Sequence, residues 1–399
     1  MRLSRKIASM AKFPGPAHAP KPFDFVGVLI ASATGLALTL TTLFFFAMPV
    51  SGNLAGSRDF ISYWATGRQL VLHANPYDHD AISAIEHSSG LTPQAVLIMR
   101  NPPWALPLAY PLGFLNLRLA AVLWSLLLLG SLLLSVRLLQ SLYVPSSGRA
   151  QALALAFTPA LICITMGQTA LFVLLGVVLF LRFHRGRPYV AGASLWLCAL
   201  KPHLILPFIA VLVVWIAAHR NYKILAGALS SLAAFTATAF LLAPHAWPDY
   251  FALMHSPAVS NDFIPCLANF LRNHFAPQSS WLLYLPAALA SFLSVVYYWR
   301  HRSFWCWSSD ACPILLLSLL AAPYSWFYDQ CIAIPALLRG ACLTRHRVLL
   351  AALAIAILLM DAEILFVPVA SYLYLWTTPV WLVWYLIAQP QAKPPLLRN

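Results

Sequence analysis

The chain has 399 residues, 61% of them hydrophobic and only 9% charged, where soluble domains carry about 25% charged residues. The formal net charge of +14 could suit nucleic acid, but the basic residues fall in short clusters between apolar runs, which is the pattern of cytoplasmic loops and argues against a nucleic-acid partner. No alternating ten-residue segments of barrel type are visible, so composition predicts an all-α polytopic membrane protein.

Residues 1–24 hold Arg2, Arg5, Lys6 and Lys12 and read as a cytoplasmic tail. The first apolar run, 25–49, has basic residues before it and no small-residue cleavage site, so it reads as a retained helix. A first outer loop then covers 51–116. Its stretch 104–115 is short and follows or contains Pro102, Pro103, Pro107 and Pro111, which predicts an interfacial or re-entrant helix instead of a crossing.

A second span is expected over 117–139. Spans three and four (150–165 and 169–183) turn outside at Gly167-Gln168. Spans five and six (189–200 and 204–218) turn at Lys201-Pro202-His203. They are short for a hydrocarbon core of about 30 Å, so that turn is expected to sit sunk below the outer surface. Span seven covers 224–242, a second outer loop 243–280, and span eight 281–299. Span nine ends near Ala322, before an outer turn from Pro323 to Asp329. Three further spans give about 12 in all, in one integral membrane domain over 1–399 with both termini inside. A full crossing at 104–115 would invert every later loop and put most arginines outside.

This topology sorts the acids. Asp59, Asp78, Asp80, Glu86, Asp249, Asp262 and Asp329 fall on the outer side, and Arg58, Arg100, Lys201 and Arg272 fall beside them. The expectation is a polar cavity that opens outward. Asp59 stands in Arg58-Asp59-Phe60-Ile61-Ser62-Tyr63-Trp64, where a carboxylate facing a half-apolar cavity can act as a general base toward a hydroxyl. A helix cap, or an ion pair with Arg58 or Arg68, is the plainer alternative. Lys201, flanked by apolar spans, reads as a lone cation that must find an anion such as a phosphate or else snorkel. His203 can be a hydrogen-bonded helix-end residue, and Gln168 can bond a sugar hydroxyl or cap a helix. Asn75-Pro76-Tyr77-Asp78 reads as a turn. Tyr324 and Trp326 read as interfacial anchors.

The seven cysteines show no metal-ligand spacing, and nothing resembles a Walker A loop, a GxGxxG fingerprint or a serine triad. No cofactor and no divalent metal are expected.

The ordered motifs Asp59-Phe60-x-x-Tyr63, Asn75-Pro76-Tyr77-Asp78, Asn101-Pro102-Pro103, Gly167-Gln168, Ala191-Gly192 with Lys201-Pro202, and Pro323-Tyr324 with Tyr328-Asp329 resemble glycosyltransferase family 87. The resemblance covers about residues 55–335 and implies the C-type glycosyltransferase arrangement, with a large first periplasmic loop carrying juxtamembrane helices. It implies transfer of a sugar, often mannose, from a polyprenyl-phosphate donor to a lipid or glycan acceptor, on the periplasmic side of a bacterial inner membrane. Asp59 then matches the family's catalytic aspartate. The expected substrate contacts are Arg58, Tyr63, Asn75, Tyr77, Asn101 and Gln168, then Lys201, His203, Arg272, Tyr328 and Asp329. Two motifs depart from the family: Asn101 stands where many relatives have tyrosine, and Tyr328-Asp329 where many have histidines. A phosphate leaves readily without an acid, so one base with cations beside the phosphate suffices, and inversion at the sugar carbon is the expected outcome. A transporter or flippase of a lipid-linked substrate is the reading from another class. It would show internal repeats and polar groups at mid-membrane. A lipid-binding structural partner is a third, and it would not depend on Asp59.

Overall fold

The computed structural model describes residues 59–90, 97–143, 153–256, 263–344 and 346–389. Among these the regular elements are all helices, with no strand. The tail 1–24, the first expected span, Arg58 and Asp262 lie outside the described residues.

Helix α1 (Phe60–Val71) and helix α2 (His79–Ser88) open the described chain. The turn between them follows its sequence. Asn75 Oδ1 accepts from the Tyr77 N–H at 2.8 Å. Asp78 caps α2, its Oδ1 accepting from the N–H groups of Asp80 and Ala81 at 3.0 Å each. The proline-rich stretch is broken as expected, into Pro103–Ala105, Leu106–Ala109 and Tyr110–Phe114. It lies directly on α1. A Cβ on Gly67 would press on the Ala109 carbonyl oxygen and stand 2.8 Å from the Gly113 nitrogen, so only glycine permits this approach. Two side chains fix the contact: Trp64 Nε1 donates to the Leu115 carbonyl at 2.9 Å, and Arg68 Nη1 to that of Gly113 at 3.2 Å. Arg68 is thereby directed away from Asp59.

Helix α3 (Leu117–Tyr143) buries Trp124, Leu128, Leu132 and Leu139 and exposes Leu126 and Leu133. A helix apolar on both faces suits lipid on one side and protein on the other. Helices α4 (Thr158–Met166), α5 (Ala170–Phe183), α6 (Pro188–Cys198), α7 (Leu206–His219) and α8 (Tyr222–Leu242) follow in hairpins, with α6 packed against both α5 and α8. Among the described residues of the second expected outer loop are two helices, α9 (Ala246–Met254) and α10 (Leu267–Phe275). Helices α11 (Trp281–His301), α12 (Trp307–Ala321), α13 (Ile334–Leu343), α14 (Arg347–Ile364) and α15 (Thr377–Ala388) complete the fold.

Among the described residues four helical segments are long and apolar enough to cross a membrane: Leu117–Tyr143, Pro202–His219, Tyr222–Leu242 and Trp281–Phe304. They coincide with the second, sixth, seventh and eighth expected spans, and they make the chain a membrane protein. The buried core is one hydrophobic cluster with members from Phe60 to Ala388. Where α5, α7 and α12 meet, the core contains a cluster of aromatic rings. The fully buried Trp307 ring meets Phe180 at 5.0 Å, Phe208 at 5.3 Å and Trp215 at 5.4 Å, all at steep angles.

Candidate active site

Asp59 immediately precedes α1, yet its side chain does not cap that helix. The carboxylate points instead toward two residues far along the chain. Its Oδ2 accepts from Gln168 Nε2 and, at 3.1 Å, from the Tyr328 hydroxyl. Among the described residues Oδ1 receives no hydrogen bond, so one oxygen is clamped and the other is presented.

Local structure explains how Gln168 arrives there. Helix α4 ends at Gly167, whose φ of 76° is left-handed, the usual glycine stop for a helix. A Cβ on Gly167 would also strike the Phe60 Cβ. Trp124 Nε1 donates to the Gly167 carbonyl at 2.7 Å and locks the turn. The same indole stacks on Tyr63 at 5.4 Å.

Lys201 lies between α6 and the 3-10 turn Pro202–Ile205. The sequence reading of a lone cation is corrected here. Lys201 Nζ donates to Asp329 Oδ1 at 2.8 Å, with side-chain exposures of 7% and 0%. Such a pair holds because each charge has its partner; alone, either would be strongly disfavoured. Asp329 Oδ2 also accepts from the Trp326 N–H at 2.9 Å, which starts the 3-10 helix Phe327–Ala333 and turns Tyr328 toward Asp59. Lys201 Nζ further lies 5.2 Å from the Tyr328 ring centre. Burial raises the Asp59 pKa above its ordinary value, and the Gln168 bond, the Lys201 charge and the Tyr328 hydroxyl pull it back in part. Burial alone would lower the Lys201 pKa, but Asp329 outweighs it and the pKa is raised.

These groups border one cavity of about 220 Å³. That is below the roughly 300–1,000 Å³ of drug-sized sites. Of the expected residues, Asp59, Tyr63, Asn101, Gln168, Lys201, His203 and Tyr328 line the wall. Asp329 stands just behind Lys201. Asn101 also fixes the wall: its Nδ2 donates to the Leu200 carbonyl at 2.8 Å, and Trp104 Nε1 donates to that of Ala199 at 2.9 Å. Tyr77 reaches the site only indirectly, donating its hydroxyl to the Asn101 carbonyl at 3.0 Å. Asn75 stays in its exposed turn. Arg272 sits on α10 with its Nε 3.3 Å from Asn273 Oδ1, and it does not border the cavity.

Sequence reasoning missed other wall residues. Arg100, Tyr250, Tyr324 and Trp326 all face the cavity. Tyr324 and Trp326, expected as interfacial anchors, bond each other instead, Trp326 Nε1 donating to the Tyr324 hydroxyl at 3.0 Å. Arg100 directly precedes the Asn101-Pro102-Pro103 motif, and that adjacency was the available signal. Among the described residues no three His, Cys, Asp or Glu side chains gather as a metal site requires.

Comparison with known proteins gives no match among curated proteins and none among solved structures. A family model does match, over residues 100–323, more than half of the chain. That range contains Gln168, Lys201 and the proline-broken segment, and the fold brings Asp59 from outside it onto Gln168 and Tyr328, also from outside it, onto Asp59. The chain belongs to glycosyltransferase family 87 and is a membrane hexosyltransferase.

Proposed function

We propose that this enzyme transfers a hexose, mannose by family resemblance, from a polyprenyl-phosphate sugar to a hydroxyl of a lipid or glycan acceptor. The observation that carries the reading is Asp59: one oxygen held by Gln168 and Tyr328, on a cavity wall shared with cations. In a single displacement the acceptor oxygen attacks the anomeric carbon while its proton passes to Asp59 Oδ1. The bond from that carbon to the phosphate oxygen breaks, and the electron pair leaves on the lipid phosphate. The sugar carbon inverts. A raised pKa makes Asp59 a stronger base once deprotonated. The clamp on Oδ2 fixes the direction from which Oδ1 meets the acceptor.

The rest of the notional architecture belongs to the same proposal: one domain over 1–399, about 12 spans in a C-type arrangement, both termini cytoplasmic and the cavity periplasmic. The arginine clusters between helices support it, as does the broken helix standing where a juxtamembrane helix is expected. The test uses the full chain in detergent or proteoliposomes with radiolabelled polyprenyl-phosphate mannose and membrane glycolipid. Label should appear in the glycolipid, with the anomeric configuration opposite to the donor's. Transfer from a nucleotide sugar instead, or retention of configuration, would overturn the donor or the displacement respectively.

A further inference from the structure

A second, smaller cavity adjoins the first, and Trp326 borders both. Its volume is about 20 Å³, room for one water molecule or one hydroxyl group. Its polar lining includes Ser325, Gln330, Ser371 and Thr378, and among the described residues on its wall none is charged. A phosphate finds no counter-charge there, and an isoprenoid tail would strand the polar groups. A neutral hydroxyl suits it.

Gln330 carries the argument. It is 5% exposed, and its amide is already oriented, because Oε1 accepts from the fully buried Trp381 indole N–H at 3.0 Å. That leaves Nε2, which donates to none of the described residues. Thr378, in the first turn of α15 and also buried, likewise has a hydroxyl with no partner among the described residues. Ser371 Oγ accepts from the Leu373 N–H at 3.1 Å, so its own proton is still to be given. A buried donor without an acceptor is costly. Two of them on the wall of one small cavity point to a ligand that brings oxygen.

Trp326 is the partition between the cavities, and it is firmly held. Its backbone N–H is on Asp329, its indole N–H is on Tyr324, and its ring stacks on Tyr328 at 6.1 Å and 13°. A ring so fixed offers an apolar surface that runs from one cavity to the other. A hexose has an apolar C–H face and a hydroxyl edge. Lying on this ring, it can seat one hydroxyl among the polar groups beyond.

We propose that the small cavity is an acceptor subsite. It binds one hydroxyl of the sugar next to the one being glycosylated, so the acceptor is a glycan of two or more sugars. This rests on the reading of donor and acceptor above. The donor brings a single hexose joined directly to its phosphate. With the anomeric carbon of that hexose at Asp59, a sugar that reaches past Trp326 belongs to the acceptor.

The test measures binding of radiolabelled octyl glycosides, carrying one or two mannose residues, to the full-length protein in detergent by equilibrium dialysis. The two-sugar compound should bind at least about tenfold more tightly, the scale of two added hydrogen bonds. Gln330→Met removes the amide, and Thr378→Val removes the hydroxyl at nearly constant size. Each should weaken two-sugar binding about threefold to tenfold, the worth of one neutral hydrogen bond, and leave one-sugar binding within about twofold. Thr378→Val has no internal bond to lose, so it decides the matter if Gln330→Met does not fold. Equal affinity of the two compounds for the parent, or failure of both to bind, overturns the subsite. An equal loss for both compounds in the variants does the same. Unchanged affinity in both variants means that the cavity holds water only, and it too overturns the proposal. A rise confined to the KM for polyprenyl-phosphate mannose would assign the cavity to the donor instead. The donor reading fails separately, when label from polyprenyl-phosphate mannose does not reach membrane glycolipid in the unaltered enzyme.

Discussion

Two aromatic regions of this protein are built on opposite rules. On the segments that build the cavity, four indoles each hold something: Trp64 the Leu115 carbonyl, Trp104 that of Ala199, Trp124 that of Gly167, and Trp326 the Tyr324 hydroxyl. Where α5, α7 and α12 meet, the indoles of Trp305 and Trp307 find no hydrogen-bond partner among the described residues, and rings meet edge to face. Each scheme contributes a similar amount per contact, about 0.5–1.5 kcal/mol. They differ in what they specify. Edge-to-face packing fills space and tolerates small slides, whereas a hydrogen bond to one carbonyl fixes a loop to a fraction of an ångström. The protein has the second kind where a carboxylate must face a reacting atom.

The contrast breaks first at Asp59. Asp59→Asn should slow transfer by about two to four orders of magnitude with normal folding, the range for a general base. Initial rates on purified protein check this. In the unaltered enzyme the base must be deprotonated, and burial raises its pKa. The acid limb of kcat/KM should therefore lie at higher pH than an ordinary aspartate gives.

Next comes the buried ion pair. Lys201→Met strands Asp329 and should destabilise the protein by about 3–5 kcal/mol, and adding Asp329→Asn should restore most of it. Thermal unfolding in detergent reads both. Full stability of Lys201→Met alone would mean that the pair is not formed.

A matched pair of substitutions compares the two regions directly. Trp124→Phe removes the bond that locks Gly167 and should lower both stability, by about 1 kcal/mol, and the transfer rate, by roughly tenfold. Trp307→Phe has no such bond to lose and should reduce stability alone. Equal rate losses in the two would erase the distinction.

The smallest effect concerns Glu86, fully buried on α2, with Oε2 accepting from the Leu97 N–H at 2.9 Å. Burial pushes its pKa up to about 7 from an ordinary 4.5, with Asp59 adding to the rise and the Leu97 bond opposing it. Between those pH values the folded chain binds more protons than the unfolded one, so stability falls as pH rises from about 4.5 to 7. Glu86→Gln should flatten that part of the profile in thermal scans, and an unchanged slope would exclude Glu86 as its source.

The two regions also differ in how far the sequence foretold them. Apolar runs and arginine clusters placed the helical hairpins, because lipid demands continuous hydrophobic spans. The turns at Gly167-Gln168, Lys201-Pro202 and Tyr328-Asp329 were visible because polar residues interrupt those runs. What joins them was not visible. The Lys201–Asp329 pair spans 128 positions and Tyr328–Asp59 spans 269, distances at which no local pattern carries information. Tyr324 and Trp326 look like any aromatics near an interface, and only the fold turns them toward a cavity. Tyr77 has the composition of a ligand contact but acts one step back, through the Asn101 carbonyl.

The meeting of Gly67 and Gly113 has an evolutionary consequence. Most damaged packings can be repaired by a second mutation that shrinks a neighbouring side chain. Here both neighbours are already glycine, and the atoms that an added methyl would strike belong to the main chain: the Ala109 carbonyl and Gly113 nitrogen on one side, the Gly67 carbonyl and Arg68 nitrogen on the other. No substitution removes a main-chain atom. A lineage that loses either glycine has no local suppressor, so this crossing should resist drift in a chain whose lipid-facing leucines exchange freely.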